Sequence, residues 1–434
     1  MITKIEIDGF KGFENFSMEF RPFTVIAGVN GVGKSNLFDA MRHLSYLVSK
    51  TLRESFETER GSLFDLFTLY PNGERKNQIS YAVEMLLPEH IEDEFSEREQ
   101  LKYLRLRYEL AVSVDDEGKF QITRERLTPI KRGNDEFLKL HREIREELPR
   151  LTGGRTPFID TDKNRITISQ DGNAGNKRVV SLEGAQRTVL SSIITVEFPH
   201  AYAAKSMLQN IHFLQLNPEQ LRKSSKFAAS PFLEPDGSNL AAMVARLRVK
   251  EPDIEQMISN DLSSIIPSVG KFILREDTVR EEYVLVVEHI DKHEIPSKLL
   301  SDGTLRVLAL IAISYDPQFN GIIILEEPEN GVHPGRIAHI VELLRDMTAF
   351  PDISSDTKQV ITNTHSSKLI EIVDRESLAF ALPKTIVDQE LGSYTVTTIG
   401  YVDAELLSSN ASSLARYELK ALLDSGKEEE FQVV

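Results

Sequence analysis

The stretch Gly28-Val29-Asn30-Gly31-Val32-Gly33-Lys34-Ser35 carries the most specific chemistry in this chain. It fits G-x-x-x-x-G-K-[ST], a loop whose glycines let successive backbone N–H groups converge on phosphate oxygens. In that pattern Lys34 holds the β- and γ-phosphates of a nucleoside triphosphate and Ser35 binds Mg²⁺. Asn30, Gly31 and Gly33 shape the cradle. The apolar run 23–27 predicts a buried strand before the loop, and 36–47 predicts a helix after it. A helix N-terminus adds a favourable dipole for an anion.

A second group of acids lies far downstream. Gly321-Ile322-Ile323-Ile324-Leu325-Glu326-Glu327-Pro328 reads as a hydrophobic strand ending in two carboxylates. Beside a phosphate loop, Glu326 would hold Mg²⁺, and Glu327 would orient and deprotonate the attacking water. Two weaker signals flank them. Ser301-Asp302-Gly303 opens an apolar helix predicted over 304–315, which makes it either an ordinary helix cap or a second anion site. Gln359 to Thr364 is a β-branched strand that ends at His365, where an imidazole could meet the γ-phosphate.

The elements that must position these residues follow from pattern. Residues 1–8 alternate like a strand, and 79–87 reads as another. Residues 104–114 and 119–130 alternate around Asp115-Asp116-Glu117-Gly118, a hairpin signal. Residues 88–100 are acidic and read as a loop or short helix. Residues 136–148 predict one helix, with Phe137, Leu140, Ile144 and Leu148 on a face. Further helices are expected at 201–210, 238–247 and 255–266, and strands at 271–274 and 283–289. From Leu300 onward the pattern is helix, strand, helix, strand.

Composition bounds the setting. The 434 residues allow two or three domains and include no cysteine, which excludes disulfides and thiolate metal sites. There is no signal-peptide core and no apolar run of about 18 residues, so a cytoplasmic protein with no membrane span is expected. The net charge of −16 opposes broad attraction to nucleic acid. Basic residues do cluster at Arg124, Arg126, Lys131 and Arg132, and at Arg222, Lys223 and Lys226, where DNA contact is possible.

Taken in order, the phosphate loop, serine-glycine signature, double-Glu strand and histidine strand resemble ABC-type ATPases. Asn36 after Gly-Lys-Ser, the string Glu326-Glu327-Pro328-Glu329-Asn330-Gly331-Val332-His333-Pro334, and Thr364-His365-Ser366 resemble the RecF, SMC and OLD-like group. Ser301 to Arg306 resembles its "predicted ATPase" branch, as do residues 5–13 and 236–240. The resemblance implies an α/β fold: an ABC-type P-loop ATPase head with an antiparallel β subdomain and a mixed α/β or helical insert. It implies an N-terminal lobe at 1–87, an insert at 88–235, a C-terminal lobe at 236–400 and an acidic helical tail at 401–434. It also implies ATP and Mg²⁺, and two heads sandwiching ATP. Ser301 and Gly303 of one head would then cap the γ-phosphate held by Lys34 of the other, in a homodimer or higher oligomer. Asn330 would lie at that interface, and Lys11 matches a basic position that approaches the phosphates. Glu326 stands where Asp is more common. Gln78 is the candidate for the family's glutamine loop.

About 69 residues follow His365, too few for the OLD-type nuclease domain, so a stand-alone ATPase is expected. The leading expectation is a Mg-dependent ATP hydrolase whose head dimerisation controls an effector protein, a nuclease or toxin, in bacterial anti-phage defence. The alternative is a RecF-like DNA-binding repair ATPase.

Overall fold

The computed structural model describes residues 1–57, 62–148, 156–170, 177–317, 319, 321–348 and 358–401. The acidic tail expected at 401–434 lies outside them from 402 onward. At the centre is a six-stranded sheet in the spatial order Ile211–Leu214, Gly321–Glu326, Lys358–Thr364, Phe23–Ala27, Leu378–Asp388, Gly392–Tyr401. The first five strands run parallel, and the last turns back as a hairpin.

Side chains alternate across this sheet, and each face is covered. Ile26, Ile322, Ile324 and Ile361 point into one core. Val25, Ile323, Leu325 and Val360 point into another. Two-sided burial explains why these strands read as continuous apolar runs rather than as alternating ones. The first core is filled by helix Lys34–Leu47 and by an eight-stranded antiparallel sheet. That sheet draws its strands from Ile2–Asp8, Phe16–Glu19, Gln78–Leu86, Arg105–Val114, Phe120–Pro129, Ile159–Asp162, Arg165–Ser169 and Lys177–Ser181. The second core is filled by helices Asp302–Ser314 and Ile337–Asp346 and a smaller antiparallel sheet around Val269–Asp277 and Glu282–His289.

One buried amide ties the layers together. Gln359 is fully buried. Its Oε1 accepts from Ile2 N at 3.0 Å, and its Nε2 donates to Ile2 O at 2.8 Å and Arg21 O at 3.1 Å. The central parallel strand is thereby fixed to the first strand of the antiparallel sheet.

Three local expectations change. Residues 136–148 form two short helices, Glu136–Leu140 and Arg142–Glu147, broken at His141. The break lets Leu138 and Ile144 both reach the core and turns Leu140 out to solvent. Asp135 anchors the first helix by accepting from Leu138 N, and it clamps buried Arg105 at 2.8 and 3.0 Å. Residues 88–100 form a small hairpin, His90–Glu92 with Arg98–Gln100. The Asp93 carboxylate organises its turn by accepting from Phe95 N, Glu97 N and Val196 N. The closing hairpin Leu378–Asp388 and Gly392–Tyr401 extends the helix–strand pattern expected after Leu300.

Replacing Gln359 by Leu keeps the bulk and removes three hydrogen bonds to backbone groups, although Arg21 O keeps the Thr24 hydroxyl. We expect a stability loss of about 2–4 kcal/mol, read as a shift in the urea unfolding midpoint.

Candidate functional site

The phosphate-loop strand ends at Ala27, paired with Thr364, and one residue earlier Ile26 pairs with Asn363, which pairs in turn with Glu326. This register brings the loop, the double-Glu end and the histidine end to one edge of the sheet. Gly31 and Gly33 have φ of +82° and +101°, a region that favours glycine. Gly33 leads directly into helix Lys34–Leu47, whose first turn carries no acidic side chain. Its unpaired N–H groups therefore face the loop without a competing carboxylate.

The closing hairpin grips the loop from below. The Thr397 hydroxyl donates to Val32 O at 2.9 Å, and Thr397 N donates to Gly12 O at 3.0 Å. A Cβ at Gly33 would lie 2.3 Å from Thr397 Oγ1, and one at Gly28 would lie 2.9 Å from Ala381 O. The closing hairpin thus forms the floor of the loop. Lys34 is almost fully buried, and its Nζ donates to Gly28 O and to Val29 O, the latter at 2.9 Å. Burial lowers the Lys34 pKa, opposed by the charges of Glu327 and Glu329. Asn30 and Gly31 are exposed, and Asn36 is half-buried in the first helical turn. Lys11 has a φ of +47° and pairs with Asp39 of the loop helix at 2.6 Å.

The acids form a connected set. Glu327 sits at a φ of +45°, a strained position for a non-glycine residue. Asn363 Oδ1 accepts its backbone N–H at 2.9 Å. One carboxylate oxygen meets His365 Nδ1 at 3.0 Å, and the other accepts from Asn330 Nδ2. Glu329 is buried and accepts from the Thr364 hydroxyl. Burial raises its pKa, and the Thr364 hydrogen bond works against that rise. Such an arrangement suits a carboxylate that takes a proton from water, with an imidazole holding its orientation.

Ser35 and Glu326 line one cavity of about 590 Å³ together with Asp39, Arg42 and Gln215. Gln215 was missed in the sequence. It directly follows strand Ile211–Leu214, whose Leu214 pairs with Leu325, so it emerges next to Glu326. The signal was a short apolar run closed by Gln. Gln78 lies elsewhere: it is exposed on the antiparallel sheet and accepts from the Thr123 hydroxyl at 3.1 Å. It does not line this cavity, because its strand belongs to a different layer.

The serine-glycine signature caps helix Asp302–Ser314. Ser301 is exposed, and its Oγ accepts from Thr304 N at 3.2 Å. A Cβ at Gly303 would lie 2.7 Å from Gly331 O and 3.1 Å from Val332 Cα. The signature therefore packs on the loop that continues from Glu327, and among the described residues no hydrogen bond joins Ser301 to the phosphate loop. Several residues of the basic clusters are paired: Arg124 with Glu109 at 2.9 Å, Arg126 with Asp160 at 3.1 Å, Lys226 with Glu282 at 2.8 Å, and Arg222 with Asp302.

Gly33→Ala should cost about 2–4 kcal/mol, from both the left-handed φ and the Thr397 collision. Adding Thr397→Ala relieves only the collision, so we expect partial recovery in urea denaturation and none in nucleotide binding.

Comparison with known proteins gives the family and the fold. Residues 23–371 match a family described as "AAA domain, putative AbiEii toxin, Type IV TA system". A curated protein of Helicobacter pylori (strain ATCC 700392 / 26695), named an ATP/GTP phosphatase, is 21% identical over 390 residues, covering 86% of this chain and 88% of its own. A solved structure of an Smc head bound to the C-winged helix domain of ScpA matches with a TM-score of 0.51 at 14% identity, over 93% of this chain and 99% of that one. The SMC head domain from Thermotoga maritima matches over 93% and 99% with a TM-score of 0.40 at 15% identity. The chain belongs to this AAA-domain family and is an ABC-type ATPase with an SMC-head-like fold.

Proposed function

We propose that the protein is a Mg²⁺-dependent ATPase whose heads pair across bound ATP, and that pairing controls an effector protein. The observation that carries the reading is the chain of contacts from Glu327 to Asn330, and from Gly331 of the same loop to buried Gly303, next to exposed Ser301. The loop that continues from the catalytic acid packs against the signature of the same head, so a second head's phosphate meeting that signature would be sensed at this head's base.

In this reading Asn30, Gly31, Gly33, Lys34 and Asn36 cradle the triphosphate. Lys34 exchanges its two backbone carbonyl partners for phosphate oxygens. Glu327 accepts a proton as water attacks the γ-phosphorus, the bond to the β-phosphate oxygen breaks, and ADP and phosphate result. His365 and Asn330 hold the Glu327 carboxylate in position. Lys11 acts through Asp39 on the loop helix. Ser35 Oγ, the Glu326 carboxylate and the Gln215 amide oxygen are hard oxygen donors on one cavity, the set that suits Mg²⁺. When bound, that ion neutralises charge on the β- and γ-phosphates. The relative's name joins ATP and GTP, so preference between them is open to titration.

The family's description names a putative toxin and a type IV toxin–antitoxin system, which supports a toxin-linked role; control of a separate nuclease or toxin in anti-phage defence is the further step we propose. A cytoplasmic setting suits a cysteine-free chain. No described helix is long and apolar enough to cross a membrane. The RecF-like repair reading is weakened because Arg124, Arg126, Arg222 and Lys226, four of the seven basic residues that suggested DNA, are paired with carboxylates.

Glu327→Gln should lower turnover at least ~100-fold while retaining ATP, and ATP should double the mass in light scattering. Turnover at the parent rate would sink the base assignment. An ATP-bound form that stays monomeric would sink the pairing reading.

A further inference from the structure

The signature presents a physical problem. Asp302 stands between Ser301 and Gly303, at the first helical position and with about half its side chain exposed. An acidic residue at a helix N-terminus is ordinarily favourable, because it offsets the dipole. Here the same terminus would meet the triphosphate of a second head, and a carboxylate one residue from Ser301 would repel it.

Arg222 answers that charge. Its guanidinium pairs with Asp302 Oδ1 and donates to Leu300 O at 3.1 Å. The Arg222 carbonyl in turn accepts from the Ser297 hydroxyl at 2.9 Å. One residue therefore grips the segment entering the signature at three points: Ser297, Leu300 and Asp302. Gly331 closes the other side, where an added Cβ would lie 3.2 Å from Asp302 Cβ. The Asp302 side chain is thus held between the Arg222 cation and the loop that continues from Glu327.

We propose that Arg222 is a positioning residue of the composite ATP site: it neutralises Asp302 and orients it away from the incoming phosphate, so that Ser301 and the helix N-terminus can receive that anion. This deepens the pairing reading above and rests on it. It also gives a role to a residue whose charge alone suggests DNA contact. The Arg222 side chain does not need to touch nucleotide. Its effect passes through the net charge of the Arg222–Asp302 pair.

The test is a charge cycle in the full-length chain, built on Glu327→Gln so that ATP persists. Light scattering reads the ATP concentration at half-maximal pairing. Arg222→Gln removes the cation that pairs with Asp302, leaving only the longer-range field of Arg306, and should raise that concentration about tenfold. Asp302→Asn leaves a cation and should lower it, an arm that stands even if Arg222→Gln fails to fold. The double variant restores the parent's net charge and should return to within about twofold of it. In a Ser301→Arg background, which blocks pairing, fluorescent ATP should bind the Arg222→Gln and parent heads alike. A double variant as impaired as Arg222→Gln, or an Asp302→Asn chain that needs more ATP, would overturn the assignment. If Ser301→Arg still pairs with ATP, the pairing reading itself fails. If it blocks pairing and the double variant is not rescued, only the role of Arg222 falls.

Discussion

The register of three parallel strands is the constraint on which the site depends. Strand Lys358–Thr364 lies between the phosphate-loop strand and the double-Glu strand, and it fixes the ends of both: Thr364 to Ala27, and Asn363 to both Ile26 and Glu326. A shift of one residue would exchange the two hydrophobic faces of a strand and move the end that carries its site residues by about 3.3 Å. The two separate cores, one on each face, make such a slip costly. The buried Gln359 amide then pins the middle strand to the neighbouring layer. Asn363 itself accepts from the backbone of Glu327, so the strand that sets the register also holds the strained turn.

The site balances its own charges. Lys34 and Arg306 are both withdrawn from water, and carboxylates offset the cost of burial: Glu327 and Glu329 for Lys34, and Asp302 first, then Glu329 and Glu327, for Arg306. Lys34 places two of its three donors on the Gly28 and Val29 carbonyls. Mg-bound ATP would exchange these internal contacts for phosphate contacts without leaving a cation bare. The same economy runs through the surface, where a chain of net charge −16 pairs many of its exposed arginines with acids.

Much of this was legible in the sequence where chemistry is written in consecutive residues. The phosphate loop, the double-Glu strand and the histidine strand each announce themselves locally, and their order implied one edge of one sheet. What depends on non-local packing was not legible. Thr397 reaches under Gly33 from a hairpin at the far end of the described chain, and no local pattern marks it. Gln215 is recognisable only once Leu214 is seen beside Leu325. The break at His141 defeats a helical period because two short helices bury Leu138 and Ile144 better than one long helix would. Gly303 reads as a phosphate-approach glycine, yet a backbone carbonyl of the Glu327 loop already forbids a side chain there.

The central claim is that one complete site takes Lys34 from one head and Ser301 from another. Mixing two inactive chains tests it most directly, one Lys34→Ala and the other Ser301→Arg. A mixed pair rebuilds one intact site from the Lys34 of one chain and the Ser301 of the other. Ser301→Arg chains do not pair with one another, so any recovery comes from mixed pairs, each with one working site of two, and hydrolysis should recover to at most about half of the parent rate. If each head is self-contained, the mixture stays as inactive as its components, and the composite-site account is contradicted.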